Sequence, residues 1–331
     1  MSSTAETSGP SLSRYMVRRL LQAAPLVLGV VVITFALIHL APGDPITVLA
    51  GDGGNAAYYA EMRARYGLDR PLPEQLLRYV AAIVRGDFGF SFTYQQPVLR
   101  VIVSRVPATL LLMGTALALS TLLGILLGVI TATRPRTALD YGITVATLTA
   151  YAMPVFWLGQ LLIIIFAVRL RLFPVQGMVS VREQYTGLRH AGDILRHLAL
   201  PAITLGLLQL AVIARLTRTG LRQALAEDFV RTARAKGLHE RAVLFGHALK
   251  NALLPIVTVV GGQIGVMLTG AALTETIFAW PGLGRLLLDA TRNRDYPLLM
   301  AIFILVAVTV VVVNVLTDLL YTLLDPRVRY T

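Results

Sequence analysis

The residues best suited to chemistry in this 331-residue chain are five histidines, His39, His190, His197, His239 and His247, and two lysines, Lys236 and Lys250. No pair of histidines falls at metal-ligand spacing. His190 and His197 are seven apart and read as solvated side chains of a loop between apolar stretches. Neither lysine closes a G-x-x-x-x-G-K-[ST] loop, so the chain is not expected to hydrolyse a nucleotide itself. HExxH and GxSxG are absent. There is no cysteine, which excludes a disulfide, a thiolate metal site and a cysteine nucleophile. No catalytic, cofactor-binding or metal site is expected.

What remains is a concentration of charge. Residues 214–254 hold eight basic and three acidic side chains in a helical pattern that Gly237 interrupts. Before the glycine, Phe229, Ala233 and Lys236 recur at helical spacing; after it, Val243, Leu244, His247, Asn251 and Leu254 share one face. Pro255 then opens an apolar run, at a position that tolerates a missing N–H. The segment predicts helix, sharp turn, helix, membrane. Such a shape suits a short surface helix that seats in a partner and passes movement to a span. A basic segment resting on anionic lipid is the other reading the residues allow.

The elements that carry this segment are apolar. Of all residues, 56% are hydrophobic and only 15% are charged, with a mean hydropathy of +0.68. A soluble domain carries roughly 25% charged residues. So much apolar surface has no place in one globular core, which excludes a disordered chain, a secreted disulfide scaffold and an ordinary cytosolic enzyme. An all-α polytopic membrane protein is expected. Six stretches can cross a bilayer: 20–41, 107–131, 141–168, 199–219, 256–277 and 297–321. The third contains Pro154 and is read as kinked, tilted or broken. The polar stretch 1–10 is expected to be disordered, and the first span to be uncleaved.

The net charge of +12 comes from 28 arginines and two lysines set in loops beside the spans, where it bears on orientation rather than on nucleic acid. With the N-terminus inside, inside and outside segments hold 15 basic residues each. Seven of the outside ones lie in 42–106, a segment at the length limit of the positive-inside rule; without it the count is 15 against 8. Both termini are therefore placed inside. Segment 42–106 becomes an outside insert, with short helices over 56–66 and 73–85 and a turn at Gly86–Ser91.

The spans are nearly free of charge. Asp140, Arg215, Glu275 and Asp318 lie near span ends, and Asp318 is expected to snorkel or pair. This scarcity disfavours an ion-coupled carrier. A membrane enzyme, a self-contained channel or a mere anchor fits no better. Gly124 and Gly128, and Gly261 and Gly265, are four apart, a spacing that permits close helix contact. Gly262, Gly265 and Gly270 leave room for a pathway as well.

The run Phe229-Val-Arg-Thr-Ala-Arg-Ala-Lys-Gly-Leu238, followed by His247-Ala-Leu-Lys-Asn-Ala-Leu-Leu-Pro255, resembles the cytoplasmic "EAA" loop of bacterial ABC importer permeases, within them the dipeptide/oligopeptide/nickel group. Further stretches agree in order: Ala41–Pro45, Tyr66–Pro71, Gly86–Gly89, Pro107–Leu110, Phe173–Gly177, Glu275–Phe278 with Pro281–Gly284, Arg294–Pro297 and Asp325–Arg327. The resemblance covers nearly the whole chain. It departs at the loop's acidic position, which is Arg231 here, with Thr232 and Ala233 at the two alanine positions, and its proline comes late, at Pro255. The acid's contact with an ATPase is not carried over. Gly237 matches the loop glycine.

The resemblance implies a type I ABC importer permease fold with the insert between helices 1 and 2. The expected organisation is a cytoplasmic tail 1–19, a first helix 20–41, the extracytoplasmic insert 42–106, a transmembrane domain 107–324 containing the coupling segment 214–254, and a tail 325–331. Phe229, Arg231, Thr232, Ala233, Lys236, Gly237, Leu238, His247 and Asn251 are the expected contacts to an ATPase. Gly261, Gly262, Gly265 and Gly270 are pathway or packing candidates. The implied partners are a second permease, two ATPase subunits that bind ATP and magnesium, an extracytoplasmic substrate-binding protein and membrane lipid. The implied substrate is a dipeptide or oligopeptide, with nickel, glutathione or another small solute as alternatives. The implied location is the bacterial cell membrane.

Overall fold

The computed structural model describes residues 12–40, 56–57, 60–61, 69–183 and 185–324. The expectations for the N-terminal stretch 1–10, the motif Ala41–Pro45, most of the helix over 56–66 and the tail 325–331 lie outside the described residues, as does the side chain of Asp318.

The described residues are mostly helical. Helix α1 is Leu12–Leu40 and α2 is Leu72–Val84. Pro73 sits in the first turn of α2, where no N–H is required, and Gly86 at φ +80° ends it. Strands β1, Phe90–Ser91, and β2, Gln96–Pro97, pair antiparallel, with Ser91 opposite Gln96. The expected turn is thus the lead-in to a small hairpin. Helix α3, Val98–Thr133, follows at once. Helix α4, Ala138–Ala152, is capped by the Thr137 hydroxyl, which accepts the Asp140 N–H at 3.3 Å.

The third apolar stretch is two rods. Pro154 forces Met153 into extended backbone, and α5, Val155–Leu162, departs at 110° and widens into a π-helix over Ile163–Arg169. Helix α6, Gly187–Ala226, is 40 residues long, about 60 Å. The expected span 199–219 is only its middle. Then come α7, Asp228–Ala235, a helical turn Glu240–Ala242, a π-helical stretch Val243–Ala248, and α8, Leu249–Ile277. Helix α9, Leu283–Arg292, lies between the last two spans and was not expected. Helix α10 is Tyr296–Leu324. By length and composition α3, α6 and Tyr296–Thr317 can each cross a membrane alone; two bent pairs, Ala138–Ala152 with Val155–Arg169 and Glu240–Leu253 with Pro255–Gly265, pass as pairs, and Ala24–Leu37 is a shorter apolar helix. These six stretches overlap the six predicted from the sequence.

The chain divides into two units. The first comprises residues 1–107 and 285–312. In it α1 meets α2 through His39, whose Nε2 is 3.2 Å from Gln75 Oε1, and through Phe35 stacked near Tyr79. Asp295 caps α10 by accepting the Leu298 N–H at 3.4 Å, and also accepts the Ser91 hydroxyl at 2.6 Å and the Thr93 N–H at 3.2 Å. The hairpin is so tied to the start of α10. Two separate motifs, Gly86–Gly89 and Arg294–Pro297, turn out to be neighbours: a Cβ at Gly89 would lie 3.7 Å from Pro297 Cβ.

The second unit comprises residues 108–284 and 313–331. One core is built from Leu112, Ala116, Leu198, Leu205, Met267 and Trp280. The Trp280 indole N–H, buried, donates to Ala108 O at 2.8 Å. Helices α3 and α6 approach closely: a Cβ at Gly124 would fall 2.8 Å from Ile213 Cγ2, and one at Gly128 would collide with Thr217. Gly177 N–H donates to Phe278 O at 2.8 Å, which brings the Phe173–Gly177 motif to the end of α8. His197 departs from expectation. It lies inside α6, is only 6% exposed, and its Nδ1 is 2.9 Å from Asp193 O. The reason is that α6 begins twelve residues before the apolar run, so the presumed loop is helix; Asp193 in turn accepts the Ser180 N–H and hydroxyl, each at 2.7 Å. His190 is exposed.

Candidate functional site

The segment after α6 is positioned by a small apolar core. Val230 and Ala233 of α7 are buried together with Val129 and Ala132 of α3, Leu221 and Ala224 of α6, and Val243, Ala248 and Ala252 beyond the turn. Two buried residues three apart are the whole inward stripe of an eight-residue helix. Burying the Val230 side chain contributes roughly 1.5–3 kcal/mol. The short helix is therefore fixed to the ends of two long ones.

Its outward side carries most of the predicted site. Arg231, Thr232, Lys236 and Leu238 are exposed, and Phe229 presents 39% of its surface. Arg231 pairs with Asp228 at 3.1 Å, both open to solvent, and the Thr232 hydroxyl donates to Asp228 O at 3.0 Å. Ala233 is the exception, turned inward. The predicted common stripe of Phe229, Ala233 and Lys236 is thus corrected: the buried stripe runs one residue later, through Val230, and leaves Phe229 and Lys236 outside.

The turn is closed by hydrogen bonds at the end of α7. Leu238 N–H donates to Ala233 O at 3.3 Å and Gly237 N–H to Arg234 O at 2.9 Å, the paired bonds of a Schellman motif. Gly237 sits at φ +76°, where any other residue costs about 1–2 kcal/mol. Arg234 spans the turn and grips Glu240 with two donors, at 2.7 and 3.3 Å. This bond holds the Glu240 carboxyl below its usual pKa and raises that of the Arg234 guanidinium. Beyond it, His239 Nδ1 accepts the Arg241 N–H at 3.2 Å.

The face after the turn is also corrected. Val243 is buried, but His247 and Asn251 are exposed, the latter donating to His247 O at 2.9 Å. The π-helical stretch inserts one residue, so the inward positions move from 247 and 251 to Ala248 and Ala252. Val243, named on that face from the sequence, is an anchor; the anchors Val230 and Ala248 were missed, the apolar type at 230 and 233 being the available signal, as was the Arg234–Glu240 clasp, for which there was none.

The glycines of α8 differ among themselves. A Cβ at Gly261 would collide with Thr317, one at Gly270 would lie 3.2 Å from Leu205 Cδ1, and one at Gly262 would meet nothing within 4 Å. Gly265 is half-buried. Gly261 is thus a close-packing position, whereas Gly262 faces open space. Among the described residues no three His, Asp or Glu side chains are grouped to hold a metal ion.

The arrangement as a whole is a ridge with a fixed base and a mixed apolar and cationic crest, joined directly to α6 and α8.

Comparison with known proteins gives a consistent result. A family model described as binding-protein-dependent transport system inner membrane component matches residues 124–330, and the corresponding N-terminal model matches residues 12–113. The chain is 42% identical over 335 residues to the dipeptide transport system permease protein DppB of Escherichia coli strain K12, covering 96% of this chain and 99% of that one. It is 44% identical to the di/tripeptide transport system permease protein DppB of Pseudomonas aeruginosa strain UCBPP-PA14, covering 96% and 98%. It is 39% identical to the oligopeptide transport system permease protein AppB of Bacillus subtilis strain 168, covering 96% and 100%.

Proposed function

Given that the chain belongs to the family of binding-protein-dependent transport system inner membrane components, we propose that it is the membrane-spanning subunit of an ATP-driven importer of dipeptides and oligopeptides. The observation that carries this reading is its similarity, over 96% of its length, to permeases named for dipeptide transport. The ridge around Gly237 supports the mechanical part.

In this reading the chain works with a second homologous permease, two ATPase subunits and an outside substrate-binding protein, in the bacterial cell membrane and with both termini in the cytoplasm. ATP and magnesium belong to the ATPases. The crest formed by Phe229, Arg231, Thr232, Lys236, Gly237 and Leu238 docks on one ATPase, with His247 and Asn251 at its margin, while Ala233 belongs to the base. Closure of the ATPase pair pushes the ridge, and the two permeases alternate between inward-open and outward-open arrangements by rigid-body movement. The segment 42–106 meets the binding protein or covers the mouth. Gly262 and Gly265 border the route, and Gly261 and Gly270 serve packing.

The test is uptake by vesicles carrying the complete complex. Labelled dipeptide should accumulate only with internal ATP and the binding protein. Accumulation of nickel or glutathione in place of peptide would overturn the substrate reading, and uptake without ATP would overturn the mechanism.

A further inference from the structure

A second site lies away from the ridge, in the cleft between α4 and α6, beside the end of α3. It encloses about 130 Å³ and is lined by Thr144 and Ile143 of α4 and by Arg215 and Arg218 of α6, with Leu148 and Ala211 completing an apolar wall. Some of its donors are already spent, the Thr131 hydroxyl on Leu127 O at 2.9 Å among them, but three are not. The Arg218 Nε is buried and has no partner among the described residues. Arg215 is exposed and forms no ion pair there, and the Thr144 hydroxyl makes no hydrogen bond there. Thr147, by contrast, spends its hydroxyl on Ile143 O at 2.8 Å.

One acid lies near. Asp140 is 2% exposed and its Oδ2 is occupied, by Arg218 at 2.8 Å and by the Arg136 N–H at 3.0 Å. Its Oδ1 is buried without a partner. Asp140 balances Arg218 and leaves Arg215 uncompensated. A cleft with excess positive charge and free donors suits a phosphate oxygen. The apolar wall requires more. It continues onto exposed Tyr141 and Val145 of α4, each 62% open, a surface that a free anion leaves unused and an acyl chain covers.

We propose that this cleft binds the phosphate of an anionic phospholipid, with the acyl chain lying along α4. Basic pockets between transmembrane helices near the cytoplasmic surface favour such headgroups. The inference takes from the reading above only that this end of α6 faces inside. Its readout is lipid binding, not uptake, so each can fail without the other.

The experiment uses the complete complex, delipidated in neutral detergent and offered phosphatidylglycerol or phosphatidylcholine with identical acyl chains, with retained lipid counted by native mass spectrometry. Phosphatidylglycerol should be retained about five-fold better per site, the factor one arginine contributes near an anionic surface. Arg215→Gln should abolish most of that preference, Thr144→Val should lessen it, and Arg182→Gln, a charge-matched control outside the cleft, should leave it unchanged. Inorganic phosphate should not displace the lipid at equal concentration. Equal retention of the two lipids, a preference that survives Arg215→Gln, or displacement by inorganic phosphate would each overturn the proposal. If Arg215→Gln prevents assembly, Thr144→Val decides, and an undiminished preference in it overturns the proposal.

Discussion

Thr109 and Glu275, 166 positions apart, are hydrogen-bonded at 2.7 Å in a fully buried setting, and the same threonine oxygen accepts the Leu283 N–H at 2.7 Å. One hydroxyl thus ties α3 to the last turn of α8 and to the first residue of α9. Gly282 makes the closure possible, since a Cβ there would collide with the Glu275 carboxylate.

Gly282→Ala should therefore destabilise the protein by about 1–3 kcal/mol, the usual cost of overpacking. Thr109→Val should cost a similar amount, because it takes one donor from a buried carboxyl. Thermal unfolding of the purified complex reads both. Unchanged melting in either variant would mean that the loop is held by something else.

Gly237→Pro should abolish peptide uptake while the chain remains in the membrane. Proline cannot adopt φ +76° and removes the N–H that donates to Arg234 O. The anchors Val230 and Ala233 are untouched, so the loss belongs to the crest. Normal uptake by a stably expressed variant would refute the role given to the turn.

Phe229 and Val230 are adjacent but face opposite ways, and the contrast separates docking from folding. Phe229→Ala should leave the unfolding temperature nearly unchanged and weaken co-purification of the ATPase subunits by an order of magnitude, the range of a modest interface hot spot. Arg231→Glu should act in the same manner. Val230→Asp should instead lower stability by several kcal/mol by burying an unpaired charge. If Phe229→Ala retains full ATPase association and coupled hydrolysis, the crest is not the contact.

The Arg234–Glu240 clasp should confer a pH dependence confined to acid. Because the arginine hydrogen bond lowers the Glu240 pKa below its ordinary value, its stabilisation is complete above that value and is lost as the pH falls through the lowered one. From pH 6 to 8 the clasp itself should not change. The protection factor of the Leu238 amide, its exchange rate corrected for the intrinsic pH dependence, should fall as the pH drops below the ordinary glutamate range of about 4.3, and Arg234→Ala should remove that transition. A transition persisting in Arg234→Ala would assign it to another group.

Much of the fold was legible because it depends on type and periodicity. Six apolar stretches, the proline in the third, the glycine at the turn and the exposed cations are all local signals. What escaped notice depends on geometry that no local pattern encodes. The π-helical stretch at Val243–Ala248 shifts every later inward position by one, so His247 read as inward and is not. His197 read as a loop residue because polar Arg196 and Asp193 hide the first turns of α6. The joining of Thr109 to Glu275, or of Ser91 to Asp295, is long-range and leaves no spacing to read.

The tight seam of α3 against α6 at Gly124 and Gly128 has a mechanical consequence. With no space for even one added carbon, neither helix can ratchet past the other, so they behave as one stiff beam. The base of α7 rests on both. A nudge delivered there acts on the short arm of a lever whose long arm is most of α6, and a lean of about 5° carries the far end of a 40-residue helix by about 5 Å. If the ridge is driven as proposed above, small strokes at α7 would be magnified at the far end of α6.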